Sequence, residues 1–408
     1  MKFLQNDKTA ATMALIMGTL AMLVSFMAWS SIAPLATAFA PKLGFVAGSG
    51  AQKMLVAVPV LLGSIMRIPM GILSDRLGGK KVFIGLMIFT LIPLFIIPNV
   101  HSYSVMIWVA LLLGMAGTSF AVAISYVSVW FPAEKQGLVL GIAGMGNIGN
   151  AVSALILPSL IGKGLHQNIG KAYTFLIILI VVFVILFALL TREMPVNKNK
   201  TIKEALSVAK EKDTWYLSLF YVLTFGSFMA FGNLIPTLIG KGNVNHFMIA
   251  STPAQVLVIA GFWAAGFSAI ATLVRPVGGA MADKILPKRL LMLAFAGILV
   301  STLIMAFGAK NFNVLMTGIF LLALFAGIGN GVVFKMVPYV SKKNTGAVTG
   351  FVGAIGGLGG FVYPFIVAAI GNLKTSFLVL SGFTIVCALV LYLVFFRGGD
   401  TVVENARD

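Results

Sequence analysis

Long apolar stretches, separated by short polar or glycine- and proline-rich breaks, follow one another along the whole chain. Twelve are long enough to cross a membrane, because a spanning helix needs about 20 apolar residues at ~1.5 Å rise per residue. They lie near residues 12–40, 53–74, 82–99, 104–131, 137–162, 172–191, 214–239, 255–282, 290–309, 314–340, 346–371 and 375–396. The pattern predicts an all-α integral membrane protein with twelve transmembrane helices.

Composition supports a membrane protein. Of the 408 residues, 59% are hydrophobic and 10% are charged, which is more apolar chain than a soluble core requires. The first stretch exceeds the roughly 7 to 15 apolar residues of a secretion signal, so we expect a retained helix. The single cysteine, Cys387, excludes an intramolecular disulfide.

The most polar segment, residues 192–213, divides the twelve stretches into six and six. We therefore expect an N-terminal six-helix bundle over residues 1–191 and a cytoplasmic, amphipathic linker over 192–213. Residues 214–408 are expected to form a C-terminal six-helix bundle with a short cytoplasmic tail.

The two halves carry matching sequence elements. The run RIPMGILSDR at residues 67–76 corresponds to RPVGGAMADK at 275–284, at an offset of 208 residues. A glycine-rich run from Gly137 to Gly149 corresponds to another from Gly346 to Gly360, at an offset near 209. Two independent matches at nearly one offset indicate a duplicated six-helix unit, an arrangement with which transporters build a binding site between halves.

The positive charge is distributed unevenly between the two sides of the predicted membrane protein. Of the 29 lysines and arginines, 19 fall on the side of the N-terminus, seven on the other side and three within spans. The positive-inside rule therefore predicts cytoplasmic termini in a multi-pass protein of the cell membrane. Because the net charge of +18 is explained by this distribution, no nucleic-acid partner is expected.

Two of the three intramembrane cations, Arg67 and Arg275, point to an anion-binding site. Each lies eight residues before an acid, Asp75 or Asp283, and hence ~12 Å from a helix end, near the middle of a ~30 Å hydrocarbon layer. A charge at that depth costs at least ~2.5 kcal/mol, and the spans offer it no carboxylate. A planar guanidinium suits a trigonal oxyanion. The alternative to anion binding is that each guanidinium donates hydrogen bonds to helix carbonyls or extends to the membrane surface.

The motifs at the helix ends resemble those of a known superfamily. The run DRLGGKK at residues 75–81 follows the second stretch, and Asp283-Lys284 follows the eighth. Together with twelve stretches in two repeated halves, these runs resemble the major facilitator superfamily. The resemblance implies a fold of two pseudo-symmetric six-helix bundles that alternate access to a central site.

A narrower resemblance rests on the paired arginines and two glycine runs. GIAGMGNIG at residues 141–149 and GFVGAIGGLGG at 350–360 are similar to the signatures of the nitrate/nitrite porter family. This similarity implies a secondary active transporter of nitrate, with nitrite as a further substrate.

The resemblance also implies which side chains surround the substrate. Asn147 is expected to contact the substrate. Phe120, which lies near Gly117, would flank the planar anion together with Tyr221 and Phe225. A tyrosine hydroxyl would donate a hydrogen bond to the anion. An interhelical hydrogen bond is the ordinary alternative for Asn147, and core packing is the alternative for the aromatic residues.

Six glycines in the two runs are candidates for coupling or gating. Glycine permits close helix approach in lipid, which is the ordinary explanation for each; smooth surfaces can also slide during alternating access. The run from Gly144 to Gly149 fits G-x-G-x-x-G, but it lies in an apolar span without a βαβ unit, so no dinucleotide site is expected. The six are Gly144, Gly146, Gly149, Gly353, Gly356 and Gly357.

Lys335 is the third intramembrane cation, and Asp75 and Asp283 are further gating candidates. Lys335 lies seven residues before Lys342, so it can snorkel to the cytoplasmic face. Alternatively, it takes part in proton coupling, since a desolvated lysine can titrate near neutral pH.

Within the family that the chain resembles, such a lysine is associated with proton-coupled uptake. This resemblance makes proton-coupled uptake the first expectation, with protons as a second transported partner. Nitrate/nitrite exchange is the alternative mechanism, and an anion channel or a transport-inactive anion sensor is the alternative class. No catalytic triad, acid pair, Cys/His metal set or P-loop pattern is found, so neither an enzyme nor a metal or cofactor is expected. The protein is expected to act as a monomer in the lipid bilayer.

Overall fold

The computed structural model describes residues 6–46, 49–132, 135–161, 168–194, 203, 206–240, 253–341 and 344–397. Within these residues, twelve helices are long and apolar enough to cross a membrane. They are α1 Asp7–Leu43, α2 Gly50–Leu77, α3 Gly79–Asn99, α4 Tyr103–Ser128, α5 Gln136–Leu160, α6 Ile169–Leu190, α7 Lys212–Ile235, α8 Ile259–Ala282, α9 Pro287–Gly308, α10 Phe312–Val340, α11 Thr345–Val367 and α12 Leu373–Phe396. The predicted all-α fold with twelve spans is confirmed.

The first helix begins earlier than the apolar pattern predicts, for a local reason. The Asn6 side chain caps it by accepting hydrogen bonds from the backbone N–H groups of Lys8 at 2.9 Å and Thr9 at 3.4 Å. Asp7 adds a negative charge to the first turn, which favours the helix N-terminus. Polar capping residues thus extend α1 beyond its apolar core.

Six spanning helices are interrupted away from their ends, and α1 is one of them, at Ser30 and Ser31. The α-helices of α2 and α8 are interrupted at Met66 and Val274, directly before the two buried arginines. Short 3₁₀ segments interrupt α4 at Gly114–Thr118 and α5 at Gly144–Ile148, and a π-helical segment, Val222–Gly226, interrupts α7. Irregular backbone at mid-depth is tolerated where it is buried in protein or lines a cavity.

The two halves, α1–α6 and α7–α12, meet through glycine surfaces. On α2 and α11, a Cβ at Gly350 would lie 2.7 Å from the Arg67 carbonyl oxygen. On α5 and α8, a Cβ at Gly141 would lie 2.7 Å from the Cα of Pro276. Each half therefore presents its glycine-rich helix to the arginine-bearing helix of the other half, which is the close approach expected of small residues in membrane helices.

Asp75 and Asp283 lie at one end of the molecule, together with lysines and arginines such as Arg76, Lys80 and Lys284. We call this end the basic face. At this face the Glu193 carboxylate, after α6, accepts hydrogen bonds from the backbone N–H groups of Lys80 at 3.3 Å and Lys81 at 3.1 Å, at the start of α3. Burial raises the pKa of Glu193 above its ordinary value. These contacts fasten α3 to α6 within the first half.

Part of the predicted linker lies outside the described residues, namely 195–202, 204 and 205, as do His166, His246 and the tail from 398 onward. The described part contains a short helix, Ser207–Lys210. Its Ala209 carbonyl accepts a hydrogen bond from the indole N–H of Trp215 at 2.8 Å.

Candidate functional site

The two intramembrane arginines converge on one aromatic ring between the halves. Arg67 opens the helix Arg67–Leu77 and Arg275 opens Arg275–Ala282, and both side chains are fully buried. Their guanidinium carbons lie 5.2 and 5.0 Å from the ring centre of Phe120 on α4. The predicted matched depth thus brings two positive charges into one buried region.

Arg67 is held by backbone carbonyls from both halves. Its Nε donates to the Gly117 carbonyl at 3.3 Å, and its Nη1 donates to the Gly353 carbonyl at 2.7 Å. Its Nη2 is buried without a hydrogen-bond partner among the described residues. The ring centres of Phe225 and Trp29 lie 5.0 and 5.7 Å from the guanidinium carbon. Hydrogen bonds to carbonyls, the predicted alternative to anion binding, therefore satisfy two of the three guanidinium nitrogens.

Arg275 has fewer hydrogen-bond partners than Arg67. Its Nη2 donates to the Tyr221 hydroxyl at 3.3 Å, and Phe334 packs against the guanidinium at 5.1 Å. Its Nε and Nη1 are buried and have no hydrogen-bond partner in the described part of the chain. Three guanidinium nitrogens, one from Arg67 and two from Arg275, therefore remain as hydrogen-bond donors.

The electrostatics of this region favour an anion. Neither arginine forms an ion pair with a carboxylate of the described residues, whereas Arg192 pairs with Asp7 and Lys335 pairs with Asp283. Each unsatisfied buried donor costs about 1–3 kcal/mol, and two guanidinium groups repel each other in a low-dielectric interior. A bound oxyanion would satisfy the donors and neutralise the repulsion.

Aromatic rings form the walls of the site. Tyr221 and Phe225 are stacked with ring centres 4.7 Å apart and an interplanar angle of 5°. Tyr221 directly precedes the π-helical segment of α7 and Phe225 lies within it; such π-bulges are frequent at functional sites. Phe120 stacks on Phe225 at 5.9 Å. The predicted aromatic set is thus brought together, on α4 and α7.

Three of the six candidate glycines lie directly against the arginines. A Cβ at Gly144 would lie 2.5 Å from Nε and 2.7 Å from Cζ of Arg275. A Cβ at Gly353 would lie 3.3 Å from Cδ of Arg67, and one at Gly357 would lie 3.1 Å from its Nη1. The missing side chains therefore make room for the two guanidinium groups.

The other three candidate glycines have different neighbours. Gly356 faces the ring of Tyr221, while Gly146 and Gly149 face Met22 and the Leu23 carbonyl on α1. Since α1 and α5 belong to the same half, the last two glycines serve helix packing within that half. The ordinary explanation fits Gly146 and Gly149, whereas Gly356 belongs to the site.

Asn147 lies in the 3₁₀ segment of α5. It is 1% exposed, and its Oδ1 is buried without a hydrogen-bond partner among the described residues. This amide oxygen can accept a hydrogen bond, for example from water, but it has no proton to donate to an anion. Its predicted contact with substrate remains a prediction.

Lys335 has a carboxylate partner that the sequence did not reveal. Its Nζ lies 2.8 Å from Oδ1 of Asp283, and the lysine side chain is 2% exposed. Asp283 also accepts hydrogen bonds from the backbone N–H groups of Gly137 at 3.2 Å and Leu138 at 3.0 Å. One carboxylate therefore joins α8 and α10 to the N-terminus of α5 in the other half, where the helix dipole favours a negative charge.

Asp75, in the first half, makes the corresponding contact with the second half. It accepts hydrogen bonds from the Ser125 hydroxyl at 3.0 Å and from the backbone N–H of Ala347 at 3.3 Å. Ala347 lies at the N-terminus of α11, in the second half. Both acids therefore hold the halves together at the basic face.

A cavity lies on the opposite side of the arginines, with a volume of about 70 Å³. Its walls come from both halves and include Trp29, Asn150, Asn233 and Ser268. Trp29 also contacts Arg67. The structure is thus held together at the basic face, and the cavity approaches the site from the opposite face.

Trp29, Phe334 and Ser64 are neighbours of the site that sequence reasoning missed. Trp29 and Phe334 lie among many apolar residues without a distinguishing signal. Ser64 was detectable, because it precedes Arg67 by three residues as Thr272 precedes Arg275, at the same offset of 208.

Comparison with known proteins identifies the family. The model of the Major Facilitator Superfamily matches residues 18–266 and 251–407. The chain is 33% identical to the probable nitrate transporter NarT of Staphylococcus epidermidis over 92% of this chain and 95% of the relative. It is 35% identical to the nitrite extrusion protein of Bacillus subtilis over 89% of each chain.

A solved structure supports the fold. The human organic anion transporter MFSD10 superimposes with a TM-score of 0.72 over 93% of this chain and 99% of that chain, at 14% sequence identity. Family membership also confirms the expectation that the chain is a transporter and not an enzyme. The chain therefore belongs to the nitrate/nitrite porter family of the major facilitator superfamily.

Proposed function

We propose that the protein is a secondary active transporter that takes up nitrate across the cytoplasmic membrane by alternating access, with nitrite as a further substrate. The observation that carries this proposal is the pair of buried arginines, one from each half. Together they present three guanidinium nitrogens beside Phe120 that have no hydrogen-bond partner within the described ranges. The names of the relatives, a nitrate transporter and a nitrite extrusion protein, agree with such a substrate.

The proposed substrate contacts follow from this geometry. The anion accepts hydrogen bonds from Arg67 and Arg275, while Phe120, Tyr221 and Phe225 restrict it to a flat shape. Asn147 and the backbone of Gly117 complete the walls. The planar guanidinium groups favour a trigonal oxyanion, because they offer donors in one plane.

The proposed transport cycle moves two bundles, residues 1–191 and 214–408, around this site, with the linker 192–213 between them. Opening of the basic face requires the Asp283 contacts to α5 and the Asp75 contact to α11 to break. The glycine surfaces of Gly144, Gly353, Gly356 and Gly357 permit the accompanying rearrangement. We place the basic face and both termini in the cytoplasm, because of the positive-inside rule, and assign the transporting unit to one monomer in the bilayer.

Proton symport is the proposed driving force, and Lys335 is the proposed coupling residue. Its ion pair with Asp283 lies within the second half, but Asp283 loses its hydrogen bonds to the N-terminus of α5 when the basic face opens. Water can then reach the pair, and either group can exchange a proton with it. A Lys335→Gln protein is expected to lose nitrate accumulation driven by a pH gradient while it still binds nitrate. Unchanged accumulation with an unchanged pH dependence would contradict the coupling role.

Flux into proteoliposomes tests the function as a whole. With an acidic exterior and no internal nitrite, we expect saturable nitrate uptake that internal nitrate stimulates. Uptake that requires internal nitrite would establish exchange, the second candidate, which the 35% identity to the nitrite extrusion protein favours. Conductance without trans-stimulation would identify a channel, and binding without flux would identify a sensor.

A further inference from the structure

Two buried hydroxyl groups occupy matched positions, each three residues before one of the arginines. Ser64 is fully buried and Thr272 is 1% exposed, and neither hydroxyl has a hydrogen-bond partner among the described residues. Each lies one helical turn before its arginine, Arg67 or Arg275. Each half therefore carries one hydroxyl at this place.

Most other buried hydroxyls of the described residues donate to a carbonyl within their own helix. Ser25 donates to the Ala21 carbonyl at 2.8 Å, and Ser301 donates to the Gly297 carbonyl at 2.6 Å; such bonds to the preceding turn are the usual solution for a helical serine. Other described hydroxyls also lack a partner, but none has a serine or threonine at the corresponding position of the other half. These are Ser74, Ser119, Ser153, Thr214 and Thr349.

The space around Gly357 links Ser64 to the arginine. A Cβ at Gly357 would lie 3.1 Å from Nη1 of Arg67 and would collide with Oγ of Ser64. The Ser64 hydroxyl and the Arg67 guanidinium therefore lie close together beside Gly357, whose missing side chain leaves room for the hydroxyl. An anion bound by Arg67 would lie near this hydroxyl.

We infer that Ser64 and Thr272 are specificity residues of the anion site, each donating a neutral hydrogen bond to a trigonal oxyanion. The inference rests on the proposed function. Nitrate offers three oxygens, whereas nitrite is bent and offers two. The three unpartnered guanidinium nitrogens can serve two oxygens, and the hydroxyls supply donors for the third. The pair therefore favours the three-oxygen anion.

Nitrate and nitrite affinities of the purified full chain, measured by isothermal titration calorimetry, test this inference. Ser64→Ala is expected to weaken nitrate binding about tenfold, as loss of a hydrogen bond to a charged group would, and nitrite binding less than threefold. Thr272→Val is expected to change both affinities in the same direction, and Thr272→Ser to restore them. Ser153→Ala, which removes another unpartnered buried hydroxyl, serves as the matched control and should bind both anions like the wild type.

The outcomes separate this inference from the proposed function. If the wild type binds nitrate and Arg275→Lys does not, while Ser64→Ala and Thr272→Val bind nitrate like the wild type, the inference is overturned and the proposed function stands. An equal loss for nitrate and nitrite overturns the selectivity role. If the wild type itself does not bind nitrate, the proposed function fails. Thermal unfolding of each variant distinguishes lost binding from lost folding.

Discussion

The two halves contribute the same residue to the site but fasten it differently. Arg67 uses two of its nitrogens to hold carbonyls of α4 and α11, whereas Arg275 uses one nitrogen to hold the Tyr221 hydroxyl of α7. The Arg67–Gly353 bond crosses between the halves, and the Arg275–Tyr221 bond stays within one half. Equivalent arginines in the duplicated sequence thus have different tasks in the structure.

This difference has a consequence for alternating access. When the halves rotate apart at the basic face, Arg67 must release the Gly353 carbonyl, while Arg275 can keep its tyrosine. In the proposed transport cycle, a bound anion offers Arg67 a replacement acceptor during that step. We therefore expect Arg67 to couple substrate binding to movement and Arg275 to provide most of the donors.

Exchanging each arginine for lysine is expected to have the largest effects. Both Arg67→Lys and Arg275→Lys should weaken nitrate binding at least about 100-fold, because lysine cannot replace paired charge-assisted hydrogen bonds, each contributing about 1.5–3 kcal/mol. Only Arg67→Lys should also lower the stability of the unliganded protein, by about 2 kcal/mol, since it leaves buried carbonyls unsatisfied. Calorimetric binding and thermal unfolding without nitrate measure the two effects. Equal stability of the variants would refute the different tasks.

Much of the fold and the identity of this pair follow from the chain alone. Apolar stretches of spanning length determine the helices, since lipid requires every backbone group to be bonded within the helix. The depth of Arg67 and Arg275 follows from their distance to Asp75 and Asp283. These features depend on local spacing, which a single sequence records directly.

The hydrogen bonds of the site do not follow from local spacing. Gly353 lies 286 residues from Arg67, and whether its carbonyl or a ligand meets the guanidinium depends on how α2 and α11 are packed. The ion pair of Lys335 with Asp283 likewise depends on the rotation of α8 and α10 about their axes. Sequence repetition predicts equivalent positions, but the packing between halves makes the equivalents differ.

The glycines beside the arginines offer a second test of the asymmetry, with a smaller expected effect. Gly144→Ala places a methyl group 2.5 Å from Nε of Arg275, and the guanidinium must move because the backbone cannot. Gly353→Ala places it 3.3 Å from Cδ of Arg67, which a shift of a few tenths of an ångström relieves. Nitrate affinity should fall about tenfold in the first variant and less than threefold in the second, as overpacking costs about 1–3 kcal/mol. The opposite order would show that Arg67 is the less firmly placed residue.

The smallest effect on nitrate binding is expected at the ion pair of the second half. Asp283→Asn leaves the buried Lys335 without its counter-charge, and loss of one partner of a buried pair costs about 3–5 kcal/mol; the value should fall near the lower end, because the Asp283 side chain is 16% exposed. Nitrate affinity of the folded protein should change less than threefold, since neither residue contacts the arginines. Adding Lys335→Met to Asp283→Asn should restore most of the stability, because no unpaired charge then remains. Thermal unfolding of the single and double variants measures this recovery. If the double variant is no more stable than Asp283→Asn, the basic face is held together by the contact of Asp283 with the N-terminus of α5 and not by its pairing with Lys335.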